Sequence, residues 1–436
     1  MLRTYADGGA ASAEGTALAG DTPKVCFICP GQGAQWAGMA RQLMAQAPEF
    51  LAALERCDQA ARPLVGWSIV SQLNTEPGTP EYRLDRIDVI QPVLVAIAIA
   101  YANLLRSFGV KPSTVVGHSM GEIAAACIAG VLSLEQAMRV ICRRSALMQR
   151  ISGKGAMALV ELSTKDTAAR LIGREARLSV AVSNSPRSSV ISGDPEAVSQ
   201  VMAELERDGV FCRLVKVDVA SHSPQTVPLA EELAVELNGL TPSDAHTPLW
   251  STVLGHRAEG KQFDPVYWGR NLRETVLFTD AINGVLDDGV SAFVELGPHP
   301  VLLHSVAQTS QSRERQVALA ACGRREDGDY AALLAALGQL WAAGYPIDWS
   351  DVLPKGERIV SLPHYPWQRE RHWVATAEIR SAATNPRTVR TAIDKESQDL
   401  LFNLTWEASD LGNANETKLA PDSRWLVVSA DSQAGS

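Results

Sequence analysis

The chain has 436 residues, 46% of them hydrophobic and 20% charged. That is globular composition with ample apolar material for a large core, and the length fits two or three domains. A formal net charge of −9 with no basic tract argues against nucleic acid as a partner.

The seven cysteines are odd in number and mostly lie in apolar runs, which reads as reduced, buried thiols in a cytoplasmic protein. Cys26 and Cys29 have CxxC spacing, but alternation along a strand sends them to opposite faces, which argues against a metal or redox pair. The N-terminus has no apolar signal region, and the longest apolar run, 92–105, is too short to span a membrane.

Taken in order, residues 1–23 are Ala/Gly/Ser-rich and read as disordered. Residues 24–29 form a continuous apolar run of the kind buried in a parallel sheet. The run ends in Pro30-Gly31-Gln32-Gly33, a glycine loop at a strand's carboxyl end, where open α/β sheets bind ligands. Helices are predicted over 39–45 and 49–61, with a long buried one over 87–108. A β-branched strand at 114–116 runs into Gly117-His118-Ser119-Met120-Gly121, and a helix follows over 122–129. Ser133 and Gln136 have capping-box spacing ahead of the next helix, which carries Arg139, Arg143 and Arg144.

From residue 155 the pattern changes. Strand 156–162, helix 164–172, strands 178–184 and 188–192, a helix opened by Asp194-Pro195 and strand 210–219 give the β-α-β-β-α-β order of a ferredoxin-like unit. It reads as an insertion, because α/β character returns at Ser221-His222-Ser223-Pro224. A helix to 240, strand 249–253, the segment 263–278, helix 280–288, strand 292–296 and helix 331–343 complete that return. Beyond 345 the chain is aperiodic and aromatic-rich through Trp373, then polar, with one strand-like segment at 424–429. The expected plan is a core of 24–154 and 219–320, an inserted subdomain at 155–218, a linker at 321–375, and a further linker with the start of another region at 376–436.

Gly-x-Ser-x-Gly between a strand and a helix is the setting of a nucleophile elbow, so the fold class is α/β, with an α/β-hydrolase-like core on a parallel sheet. The turn is tight enough to need flanking glycines, and it presents Ser119 at the first free N–H groups of the helix. An incidental serine in a Gly-rich turn is the bland alternative. Ser119 needs a base. His222 lies at the seam where the insertion rejoins the core, and His299, after a strand end, is the runner-up. His118 adjoins Ser119 but should point the other way, so its role is supporting at most. No acid announces itself as a third member, and a backbone carbonyl can do that work. The N–H groups of Met120 and Gln32 are candidates for the oxyanion hole. Arg143 and Arg144 adjoin, so only one can reach the cleft; a guanidinium there would suit a substrate carboxylate, while a surface ion pair is the ordinary alternative.

PGQGAQW, GHSMGEIAAA, NSPRSSVISG, VASHSPQ, YWGRNLRETVLF and ELGPHPVL stand in the order seen in acyltransferase domains of modular type I polyketide synthases. The chain resembles these over about 24–373, and they are similar to the malonyl-CoA–acyl carrier protein transacylases of fatty acid synthesis. The resemblance implies that Ser119 forms the acyl-enzyme, His222 relays its proton, Gln32 and Met120 bind the oxyanion, and Arg144 holds the extender's carboxylate. It places Asn184 and His118 near the substrate, and puts the carbonyl that orients the histidine near Leu277, making a Ser-His dyad. It implies an acyl-CoA donor, a phosphopantetheine-bearing acyl carrier protein as acceptor, neighbouring ketosynthase and other synthase domains, and no metal or bound cofactor. In the family, His-Ala-Phe-His goes with malonyl units and Tyr-Ala-Ser-His with methylmalonyl. Val219-Ala220-Ser221-His222 has the small Ser221 of the second, which leans to methylmalonyl, although Val219 fits neither and Met120 replaces the usual residue. The segment YPWQRERHW resembles the post-acyltransferase linker, and the chain reads as a piece of a longer synthase or a split reading frame. A serine hydrolase or thioesterase on the same elbow, and a catalytically idle structural module, are the competing readings.

Overall fold

A computed structural model describes residues 22–352 apart from positions 216, 218 and 326. The expectations for 1–21, for the aromatic run at 362–373 and for the tail from 376 lie outside the described residues.

The chain opens with β1 (Lys24–Cys29), buried beyond its first residue. Helices α1 (Arg41–Gln46), α2 (Pro48–Val65), α3 (Ile69–Asn74) and α4 (Ile87–Ser107) follow. By length and composition α4 could cross a membrane, but 89% of its apolar window is buried inside the protein, so it serves as the core helix. Then come β2 (Thr114–Gly117), α5 (Gly121–Ala129) and α6 (Leu134–Gln149), the last opened by the Ser133–Gln136 capping box.

The inserted unit is β3 (Ala156–Val160), α7 (Thr164–Arg170), β4 (Leu178–Ser185), β5 (Ser188–Gly193), α8 (Pro195–Arg207) and β6 (Cys212–Leu214). Its strands lie in the order β6-β3-β5-β4, each antiparallel to its neighbour, which is the ferredoxin-like arrangement. β6 is much shorter than the predicted 210–219. The Val217 N–H bonds back to the Val215 carbonyl at 2.8 Å, which turns the chain off the sheet toward His222.

The chain returns through α9 (Val227–Glu236), β7 (Leu249–Trp250), β8 (Arg257–Ala258), α10 (Pro265–Arg273), β9 (Val276–Leu277), α11 (Phe278–Asp287) and β10 (Val290–Glu295). It continues as α12 (Leu303–Ser312), β11 (Ala318–Ala321) and α13 (Asp329–Ala342). The core sheet runs β11-β10-β1-β2-β7-β8 and is parallel except for the β7–β8 hairpin. Side chains alternate across it: Val25, Phe27 and Cys29 join the large core cluster, while Cys26 and Ile28 pack on the other face. Cys26 and Cys29 therefore face apart, and all seven cysteines are free.

Three departures from the predicted elements have physical causes. Strand 249–253 ends at Trp250, because the Ser251 N–H turns to the His256 carbonyl and the Gly255 N–H to the Ser251 carbonyl. Helix α12 is Ser/Thr-rich, with few apolar side chains to mark it; its start is held by the buried carboxylate of Glu295, which accepts from the N–H groups of Val301, Leu302 and Leu303. Helix α13, expected at the start of a linker, instead packs against β11 and α1, and its Leu333, Ala336, Leu337 and Leu340 belong to the main core.

Two of the contacts between the core and the inserted unit fix the path of the chain. Gly155 and Ala220, where the chain leaves and returns, are so close that a Cβ on Gly155 would fall 2.2 Å from the Ala220 nitrogen. β9 extends the small sheet by pairing in parallel with β4, Val276 opposite Val182 and Leu277 opposite Ser183.

Candidate active site

Register places the two loops of the site side by side. Cys29 pairs with Gly117 at the carboxyl ends of β1 and β2, so the Pro30-Gly31-Gln32 loop and the Ser119 turn leave the sheet at one level. A Cβ on Gly31 would lie 3.8 Å from the Ser119 Cβ. Ser119 sits at φ 53, a left-handed conformation that costs a residue with a side chain of order 1–3 kcal/mol. The flanking glycines are steric necessities: a Cβ on Gly117 would fall 2.2 Å from the Glu122 Cα, and one on Gly121 would fall 2.2 Å from the Cys29 carbonyl oxygen.

His222 meets Ser119 across the seam, with Nε2 2.7 Å from Oγ. Its Nδ1 lies 2.8 Å from the Glu274 carbonyl oxygen, which can only accept. Nδ1 therefore carries the proton and Nε2 is free to take one from Ser119. The orienting carbonyl is that of Glu274, not of Leu277. Helix α10 ends at Arg273 and Glu274 is extended just past it, so its carbonyl is free of the helix, whereas Leu277 has already entered β9 beside Ser183. His222 is itself left-handed, at φ 59. Its N–H donates to the Leu272 carbonyl at 3.2 Å, and Ser179 Oγ on β4 donates to its carbonyl. Contrary to expectation, among the described residues no buried strand leads into His222; it stands in a turn ahead of the short helix Pro224–Thr226, which Ser223 caps. Burial, followed by the neighbouring Arg144 charge, lowers the imidazole to about 3 and keeps it neutral.

Arg144 is 1% exposed, while its neighbour Arg143 is at the surface, 3.8 Å from Glu236. Arg144 Nη1 donates to Gln91 Oε1 at 2.8 Å and Nη2 to Ser119 Oγ at 3.2 Å, and Nε has no partner. Among the described residues no carboxylate pairs with it. Burial lowers its guanidinium to about 10, so it stays charged at neutral pH. Gln91 also reaches Gln32, Nε2 to Oε1 at 3.2 Å, tying the arginine to the glycine loop. Among the described residues neither the Met120 N–H nor the Gln32 N–H is bonded to a protein carbonyl.

His118 turns away from Ser119, as strand alternation requires. Its Nε2 lies 3.1 Å from Asn184 Oδ1 on β4 and its ring packs edge-on against Phe278. Burial lowers it to about 4. Val219 is packed into the main core and Ser221 is partly buried beside His222. His299 stands apart in the loop after β10, where its Nδ1 takes the Arg325 N–H. Beneath the turn lies Glu122, fully buried and accepting from the Thr252 N–H at 2.8 Å, Tyr267 Oη at 2.7 Å and Asn271 Nδ2 at 2.7 Å. Burial raises it to about 7 against those three bonds. A cleft of about 590 Å³ opens beside Gln32, between Trp36, Tyr82 and Ile90 on the core side and Leu214 and Val217 of the inserted unit.

Sequence reasoning missed Gln91, Glu122, Asn271 and Glu274. Gln91 and Glu122 had a signal: Glu122 is the lone polar side chain of its helix, and Gln91 lies buried among the apolar residues of α4. Asn271 and Glu274 had none, because a side-chain amide and a backbone carbonyl on a polar helix end look ordinary.

Residues 26–345 match the family model described as acyl transferase domain. The chain is 38% identical over 413 residues to erythronolide synthase EryA2 of Saccharopolyspora erythraea, covering 94% of this chain and 11% of that protein. It is 42% identical over 378 residues to polyketide synthase GfsB of Streptomyces halstedii, covering 86% and 7%. This chain thus spans only a small part of the length of those synthases. Among solved structures, the acyltransferase domain from module 8 of the salinomycin polyketide synthase is 40% identical with a TM-score of 0.77, over 80% of this chain and 82% of that one. The malonyl CoA-acyl carrier protein transacylase of Coxiella burnetii is 25% identical with a TM-score of 0.63, over 73% and 98%.

Proposed function

The chain belongs to the acyl transferase domain family, as found in modular polyketide synthases, and we propose that it moves a carboxylated extender unit, methylmalonyl in preference to malonyl, from coenzyme A to an acyl carrier protein through Ser119. The observation that carries this reading is the buried guanidinium of Arg144, unpaired with any carboxylate among the described residues and 3.2 Å from the nucleophile. An unpartnered buried charge is costly, and a substrate carboxylate would complete it with a bidentate pair.

In the first half-reaction Ser119 Oγ gives its proton to His222 Nε2 and attacks the thioester carbonyl. The oxyanion forms toward the Met120 and Gln32 N–H groups, where preorganised donors favour the transition state. The C–S bond breaks, and His222 returns the proton to the departing CoA thiolate. In the second half the carrier's phosphopantetheine thiol gives its proton to His222 and its sulfur attacks the acyl ester; the C–O bond breaks and Ser119 Oγ recovers the proton. The cycle needs no metal or resident cofactor, because donor and carrier bring their own pantetheine arms. An acyl group held by Arg144 has its α-carbon fixed, and the small Ser221 leaves room for a branch there. One methyl is worth only about 1–3 kcal/mol in such a pocket, so the preference is one of degree. The acyl carrier protein and a ketosynthase are the partners this cycle requires.

Intact-protein mass spectrometry after incubation with methylmalonyl-CoA or malonyl-CoA tests the reading. The expected result is a stable mass gain that disappears in Ser119→Ala and is greater with methylmalonyl. In Arg144→Ala, uptake of carboxylated units should fall roughly 10²–10³-fold, the loss of a buried charge-assisted contact worth about 3–4 kcal/mol, while acetyl-CoA loads at least as well as before. Turnover to free acid in place of a stable adduct would point to a hydrolase instead.

A further inference from the structure

Ser119 and His222 come from separate parts of the chain, and both are held in left-handed backbone, at φ 53 and 59. One short segment touches both. Asn271 Nδ2 donates to the Ser119 carbonyl at 3.1 Å, the Leu272 carbonyl takes the His222 N–H, and the Glu274 carbonyl takes its Nδ1–H. Asn271 Oδ1 has no partner, so the amide is held through its nitrogen alone. The Ser119 carbonyl and the Glu122 carboxylate, whose Oε2 lies 2.7 Å from the same Nδ2, can both only accept, so together they fix the amide nitrogen toward Ser119. Besides receiving the Thr252 N–H and the Tyr267 O–H on Oε1, the carboxylate holds the Asn271 amide through Oε2.

We propose that Asn271, oriented by the buried carboxylate of Glu122, is the positioning residue that sets the distance between the Ser119 nucleophile and its histidine base. The inference rests on the Ser-His chemistry proposed above, but not on the identity of the acyl donor.

Glu122→Gln tests it with little change of shape. The Thr252 N–H holds the new Oε1, so the new Nε2 meets Asn271 Nδ2; the two donors repel and the Asn271 amide is displaced from the Ser119 carbonyl. Acylation from methylmalonyl-CoA is expected to slow roughly 10²-fold, as for a misplacement of about 1 Å, with KM little changed. The double variant Glu122→Gln/Asn271→Asp restores a matched donor and acceptor in the floor but leaves the Ser119 carbonyl without a donor. It should recover the thermal midpoint lost in Glu122→Gln and not the rate. Labelling of Ser119 by a fluorophosphonate, which needs the activated serine but no acyl-CoA, should fall in parallel in both variants. A double variant that recovers rate and midpoint together would reduce the pair to a structural contact and overturn the proposal, as would Asn271→Leu with the parent's labelling rate. A parent that takes the fluorophosphonate but no acyl group sinks the donor assignment alone. A parent that takes neither sinks both.

Discussion

Burial moves two of the titratable groups around Ser119, His222 and Glu122, in opposite directions. His222 is lowered to about 3 and Glu122 is raised to about 7. A base lowered below its ordinary value stays unprotonated through the whole neutral range, so His222 contributes no acid limb between pH 5 and 8. A carboxyl raised to about 7 takes up its proton as the pH falls through that value. Once protonated, Glu122 carries a donor of its own, and the Asn271 amide no longer has a pure acceptor to face. The rate of Ser119 acylation is therefore expected to fall as the pH drops through about 7, with the limb belonging to the glutamate. Quench-flow with intact-mass readout across pH 5 to 8 checks this. Glu122→Gln should be slow and flat; a limb of unchanged position in that variant would assign the titration elsewhere.

At the scale of elements, the helix that follows the nucleophile starts against the end of β1 with no space between them. A Cβ on Gly121 would meet the Cys29 and Pro30 carbonyl oxygens at 2.2 and 2.4 Å. Elsewhere in a helix, Gly→Ala stabilises by about 0.5–1 kcal/mol. Gly121→Ala should instead destabilise by about 1–3 kcal/mol, the usual cost of forcing atoms into a filled space. A urea midpoint below that of the parent is the expected readout, and an unchanged midpoint would mean that the helix start can draw back from the strand. Features with local causes were legible in the sequence: the apolar β1, the glycine-flanked turn, the Ser133–Gln136 capping box and the β-α-β-β-α-β order. What was not legible depends on distant partners. Helix α12 owes its start to Glu295, a residue in another element. The carbonyl that holds His222 belongs to Glu274 because α10 ends where it does, a boundary that the NLRETVLF string does not mark. Arg144 was legible as a residue, but its burial beside Ser119 follows from how α6 packs on α4.

Across the whole molecule, the inserted unit does more than wall the cleft. It touches the core through β9 on β4, through Thr275 Oγ1 to the Val180 carbonyl at 2.7 Å, and through Ser179 Oγ to the His222 carbonyl. The first two contacts hold the subdomain in place. The third holds His222, the proposed base, at the carbonyl of a residue in strained backbone. Removing one neutral hydrogen bond costs about 0.5–1.5 kcal/mol, so Ser179→Ala and Thr275→Val should lower stability by similar, small amounts. Their effects on chemistry should differ. Ser179→Ala frees the His222 backbone and is expected to slow Ser119 acylation up to roughly tenfold, the rate equivalent of that same free energy. Thr275→Val, whose lost hydroxyl touches the Val180 carbonyl and not His222, should leave the rate near that of the parent. Acylation rates and melting curves of the two variants measured side by side separate the contacts. Equal slowing in both would mean that the subdomain acts on the base only through its overall placement, and a Ser179→Ala rate equal to the parent's would mean that the core alone, through Leu272 and Glu274, is enough to hold it.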